Sequence, residues 1–179
     1  MNLPNLLTIF RLVLIPVFVS VYFSGHPQAM LQSLGIFLLA GATDVADGYI
    51  ARRWNMQTTL GTVLDPLADK LMLITVLYCL TLTQSIPSWI VILVGLKEAF
   101  MIVSGLVLYF RKVNQVVIPS NLWGKMATTV FYIAVAANLT EMPNTISAGT
   151  IILATLLTFV ALVNYSIIYY QNHHGSVGE

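Results

Sequence analysis

Four of the chain's seven acidic residues, Asp44, Asp47, Asp65 and Asp69, stand close together in the stretch TDVADGYIARRWNMQTTLGTVLDPLADK. Apolar segments flank that stretch on both sides. A charged side chain in hydrocarbon costs at least about 2.5–3.5 kcal/mol on insertion scales. Four crowded anions cost more unless a cation sits among them. A divalent metal ion suits them, and a shell of hard oxygen donors selects magnesium or manganese. The competing reading is a set of buried acids paired with Arg11, Arg52, Lys70 or Lys97.

These residues must be positioned by helices. Of the 179 residues, 58% are hydrophobic and 8% charged, with a mean hydropathy of +0.84. A soluble domain carries about 25% charged residues, so the composition predicts an integral membrane protein. The net charge of +1 and the lack of a basic run give no indication of a nucleic-acid partner. The single cysteine, Cys79, excludes an intrachain disulfide framework and a cysteine-rich zinc site. The start, MNLPNLLTIFR, lacks the basic region of a cleaved leader, so the first apolar segment is read as structure.

A spanning helix needs about 20 mostly apolar residues. Six segments qualify: 5–23, 32–53, 61–83, 87–110, 121–139 and 146–170, separated by SGHPQ, RRWNMQTT, TQSIPS, RKVNQVVIPSN and TEMPNT. Lipid offers unpaired backbone no partner, so the expected fold is all-α, a six-transmembrane-helix bundle. It forms one domain over 1–179, with a frayed polar tail at 171–179. Tyr22, Trp54, Trp89, Tyr109 and Tyr170 read as an aromatic belt at the membrane interfaces. Pro66 is expected in the first turn or so of the third helix, where a missing N–H matters little.

The second and fourth connections carry Arg52, Arg53, Arg111 and Lys112, whereas the first, third and fifth carry no Lys or Arg. The positive-inside rule then puts the basic connections and both termini on the cytoplasmic side. The second helix runs inward, so Asp44 and Asp47 lie roughly 9–14 Å from its inner end. Asp65 and Asp69 return to a similar depth on the third helix. Each pair has i,i+3 or i,i+4 spacing and shares a helix face. Two antiparallel neighbours are therefore expected to bring four carboxylates to one level. Ala46, Gly48, Ala51, Gly61 and Ala68 among them permit close helix approach.

The full pattern is D-x-x-D-G-x-x-A-R, eight residues, then G-x-x-x-D-x-x-x-D, fixed at Asp44, Asp47, Gly48, Ala51, Arg52, Gly61, Asp65 and Asp69. It resembles the signature of the CDP-alcohol phosphotransferase family. PNLLTIFR, DPLADK and WGKMATT are similar to the branch containing phosphatidylglycerolphosphate synthases and eukaryotic-type cardiolipin synthases. The resemblance covers nearly the whole chain. It implies that a CDP-linked lipid, CDP-diacylglycerol, donates its phosphatidyl group to an alcohol and that CMP leaves. It also implies two bound Mg2+ or Mn2+ ions and a homodimer. Asp44, Asp47 and Asp65 then ligate metal, and Asp69 serves the second ion and acts as general base. Gly48, Ala51, Arg52 and Gly61 match nucleotide-binding positions. Such transfer asks the protein chiefly for positioning and charge neutralisation.

The remaining charges are less specific. Thr8 and Arg11 lie one turn apart near the inner end of the first helix. Either could face the diphosphate, and Arg11 could equally snorkel to the interface. Lys70 points away from Asp69 and could reach the headgroups. Lys125, level with the acids, suits an acceptor anion or the interface. Lys97 and Glu98 lie near mid-span, where a charge is functional by default, although the two could neutralise each other. Phosphatidylglycerolphosphate synthases usually carry Arg-Glu here and a second arginine eight positions after the first. This chain has Lys97-Glu98 and Gly105. Arginine reads phosphate bidentately and lysine does not. Glycerol-3-phosphate is the leading acceptor, and phosphatidylglycerol, giving cardiolipin, is the alternative. Membrane prenyltransferases also use paired aspartates, but they need about nine helices. A small cation transporter predicts ion flux without CMP, yet no internal repeat is visible.

Overall fold

The computed structural model describes the backbone over residues 3–54, 59–110, 122–140 and 144–174. These residues form six helices: α1 (Leu3–Tyr22), α2 (Ala29–Arg53), α3 (Thr59–Leu82), α4 (Ser88–Phe110), α5 (Leu122–Leu139) and α6 (Asn144–His174). No strand occurs among the described residues. Three helices are long and apolar enough to cross a membrane, over Asn5–Tyr22, Ala29–Ile50 and Thr145–Asn164; the apolar run Met126–Leu139 is shorter.

Two expectations need correction. Residues 171–174 are helical rather than frayed. No Gly or Pro falls between Gly149 and Gly175, so the helix outlasts its apolar stretch. The third helix begins at Thr59, which puts Pro66 in its second turn. There the proline lacks the N–H that the carbonyl of residue 62 would accept. Pro16 does the same to Leu12 within α1, and the Ser20 hydroxyl donates to the Pro16 carbonyl at 2.8 Å.

The chain divides into two compact units, Met1–Val91 with Leu139–Glu141, and Ile92–Asn138 with Met142–Glu179. In the first unit α1 packs against both α2 and α3, and α2 also meets α3. The buried stripe of α1 is Thr8, Arg11, Leu14, Phe18 and Tyr22. These residues recur every three or four positions and so share one helix face. On α2 the corresponding stripe is Ala29, Ser33, Phe37, Ala40 and Asp47. On α3 it is Ala68, Met72, Leu73, Val76, Leu77 and Leu80, with Cys79 also buried. Leu6, Val13, Leu31, Leu38, Val45 and Tyr78 lie on the outward faces and are more than half exposed. Apolar surface on that scale needs a lipid cover.

The end of α3 is capped tightly. Gln84 has φ 58°. Its N–H donates to the Thr81 carbonyl at 3.0 Å, and the Ser85 N–H donates to Leu80 at 2.9 Å. That pair of bonds around a left-handed residue is a Schellman motif. In the second unit the interior contains Val94, Ala127, Phe131, Ala134, Val135, Ile151, Ala154 and Ala161. The Thr155 and Thr158 hydroxyls donate to carbonyls one turn back, at 2.8 and 2.9 Å, which satisfies them inside their own helix.

Candidate functional site

The α1 and α2 stripes each end in charge, and there the two helices are joined by ions. Arg11 Nη1 lies 2.7 Å from Asp44 Oδ1, and Arg11 Nη2 donates to Asp47 Oδ2. One guanidinium thus bridges two carboxylates three residues apart on one helix face. The arginine side chain is 1% exposed, Asp47 2% and Asp44 39%. Arg11 therefore does not snorkel. It points into the packed face of α1 because its stripe does, and Thr8, one turn earlier, is buried with it. A buried guanidinium needs anions near it, and α2 supplies two.

On α3, Asp69 is part-buried, and its Oδ2 lies 3.8 Å from Lys70 Nζ. Lys70 thus turns back toward its neighbour. Among the described residues no three His, Cys, Asp or Glu side chains are gathered closely enough to hold a metal ion. Among the described aspartates, Asp44 and Asp47 meet Arg11 across α1 and α2, and Asp69 meets Lys70 on α3. Asp65, Arg52, Ala51, Gly61 and Lys125 fall on described helical backbone, but their side chains lie outside the described residues. The connection carrying Arg111 and Lys112 lies outside them altogether. Gly48 is half-buried on α2, one residue beyond Asp47.

In the second unit Lys97 Nζ donates to Glu98 Oε1 at 2.6 Å, with both side chains buried. The two charges at mid-helix thus neutralise each other. Tyr22 corrects the aromatic-belt reading. Only 4% exposed, it stacks on Phe18 with ring centroids 5.7 Å apart. Its hydroxyl shares a 2.9 Å hydrogen bond with Thr83 Oγ1. Trp54 and Trp89 are more than half exposed, as the belt reading expects. The i,i+4 spacing of Phe18 and Tyr22 on the Arg11 face was the available signal that Tyr22 is a core residue.

The donor set suits a hard divalent cation in kind. Asp44 and Asp47 offer carboxylate oxygens, no His or Cys competes beside them in sequence, and Asp44 remains accessible at 39% exposure.

Comparison with known proteins agrees with the signature. The model of the CDP-alcohol phosphatidyltransferase family matches residues 1–168. The chain is 34% identical over 169 residues to a CDP-diacylglycerol–glycerol-3-phosphate 3-phosphatidyltransferase of Haemophilus influenzae, covering 92% of this chain and 91% of that protein. It is 37% identical over 148 residues to the Bacillus subtilis protein of the same name, covering 76% and 75%. It is 32% identical over 170 residues to a probable phosphatidylglycerophosphate synthase of Mycobacterium tuberculosis, covering 92% and 79%. With three apolar helices of spanning length and a family match over nearly all its residues, this integral membrane protein belongs to the CDP-alcohol phosphatidyltransferase family.

Proposed function

We propose that the chain transfers the phosphatidyl group of CDP-diacylglycerol to glycerol-3-phosphate and releases CMP. The observation that carries the reading is the complete eight-position aspartate signature from Asp44 to Asp69, in a chain 32–40% identical to proteins named for this activity. The acceptor hydroxyl oxygen attacks the phosphatidyl phosphorus, and the bond from phosphorus to the CMP oxygen breaks. Asp69 takes the hydroxyl proton. Gly48, Ala51, Arg52 and Gly61 hold the nucleotide, while either Thr8 or Arg11, both buried beside the aspartates, would meet the diphosphate only on leaving its present packing. Asp44, Asp47, Asp65 and Asp69 hold Mg2+ or Mn2+, two ions in all, which when bound neutralise the diphosphate and the leaving oxygen. Lys125 supplies positive charge for the acceptor phosphate, and Lys97 joins it only on leaving its Glu98 partner. A direct displacement is favoured because no Ser, Cys or His beside the motif is poised as a nucleophile.

The domain is the whole chain, 1–179, which the family match over 1–168 supports. Six spans, a cytoplasmic active site with both termini on that side, and a homodimer complete the reading. The charge pattern of the connections supports the orientation. One specific observation favours a second acceptor: Lys97-Glu98 and Gly105 stand where an arginine-rich phosphate reader is expected. Phosphatidylglycerol, which would yield cardiolipin, is that alternative. Purified protein given CDP-diacylglycerol and each acceptor separately decides between them. CMP formation with glycerol-3-phosphate supports the leading reading, and CMP formation only with phosphatidylglycerol replaces it. Cation flux in proteoliposomes without CMP would reject both.

A further inference from the structure

Asp47 is covered on all sides, at 2% exposure, and its carboxylate is held by Arg11. Asp44, on the same guanidinium, stays open at 39%. A divalent ion can reach Asp44 from its exposed side. It can reach Asp47 only if the guanidinium gives way. We infer that Arg11 is a resident counter-ion. It holds the α2 carboxylate pair together before metal binds, and it is displaced from Asp47 when metal arrives. This rests on the reading of Asp44 and Asp47 as metal ligands. Three observations carry it: one cation bridges both acids, it is itself 1% exposed, and it belongs to the α1 stripe rather than to the helices that bear the aspartates. A buried anion without a cation is strongly unfavourable, so an aspartate pair awaiting metal needs such a stand-in. As a positioning residue Arg11 opposes metal binding. A fixed outer partner of the carboxylates would instead assist it.

The two roles predict opposite signs. Mn2+ binding to the full-length protein in detergent, without lipid substrate, is followed by electron paramagnetic resonance of the free ion. Arg11→Gln removes the competing charge, so Mn2+ should bind about tenfold more tightly than to the parent. Its unfolding temperature without metal should fall and should be recovered by Mn2+ to a greater extent than the parent's. Arg11→Lys keeps one charge but cannot bridge two acids, so its affinity should lie between the two. If Arg11→Gln does not fold, Arg11→Lys decides alone. Tighter binding than the parent supports displacement, and equal or weaker binding overturns it. Asp47→Asn separates the two levels of the argument. If Mn2+ binding to the parent does not depend on Asp47, the ligand reading fails. If it depends on Asp47 yet weakens or stays level in Arg11→Gln, the ligand reading survives and the displaced counter-ion does not.

Discussion

Replacing Asp47 by Asn should cost far more stability than replacing Asp44, although both touch the same arginine. Removing one partner of a buried ion pair typically costs about 3–5 kcal/mol. Here Asp44 still lies 2.7 Å from Arg11, and the asparagine carbonyl still accepts a hydrogen bond. Those two compensations reduce the expected loss for Asp47→Asn to about 2–3 kcal/mol. Asp44 is 39% exposed, so its charge is less desolvated by protein than that of Asp47. Its pair then belongs near the surface range, and Asp44→Asn should lose about 1 kcal/mol or less. For a chain of this length 1 kcal/mol shifts the midpoint by about 2–4 °C, giving a fall of about 4–12 °C for Asp47→Asn and at most about 4 °C for Asp44→Asn. The assay is thermal unfolding in detergent with a chelator present, followed by tryptophan fluorescence. Adding Arg11→Met to Asp47→Asn should lower the midpoint by less than the sum of the single changes, because the two residues share one contact. Equal losses for the two aspartates, or a larger loss at Asp44, would refute the weighting by burial.

Asp69→Asn should abolish CMP release from CDP-diacylglycerol while leaving the unfolding midpoint within about 2 °C of the parent, since its lysine contact is long at 3.8 Å; release near the parental rate removes the general-base assignment. Chelation with EDTA should abolish CMP release and added Mg2+ or Mn2+ restore it, whereas activity that persists after exhaustive chelation rejects the metal reading. Gln84→Gly should stabilise the protein by about 0.5–1 kcal/mol, because φ 58° strains a side chain and not a glycine; an unchanged or lower midpoint contradicts the cap. Tyr22→Phe should lose about 1 kcal/mol with its Thr83 bond, and a loss below the error of the unfolding measurement would show the bond to be incidental.

Much of the fold was legible because hydropathy gaps and turn residues mark helix ends. The expected and observed bounds of the first five helices agree within three residues, and only the last extends well past its apolar run. Hydropathy cannot see a polar helix end, which accounts for residues 171–174. The aspartate signature was legible because spacing alone puts Asp44 and Asp47 on one face. Their partner was not, since nothing in spacing gives the rotation of α1 against α2. Yet the stripe Thr8, Arg11, Leu14, Phe18, Tyr22 was present in the sequence. Following it would have placed Arg11 inward with the core and Tyr22 away from the interface. The left-handed turn at Gln84 had no such signal, because Gln is a rare occupant of that conformation.

Pro16 divides α1 into a half that carries Thr8 and Arg11 and a half that carries Phe18 and Tyr22. The half after Pro16 is anchored to the end of α3 through Thr83. A hydrogen-bond ladder with a missing rung bends more readily than an intact one. The half of α1 that carries Arg11 can therefore tilt as a lever about a fixed fulcrum, carrying its guanidinium away from α2 without unpicking the aromatic anchor behind it.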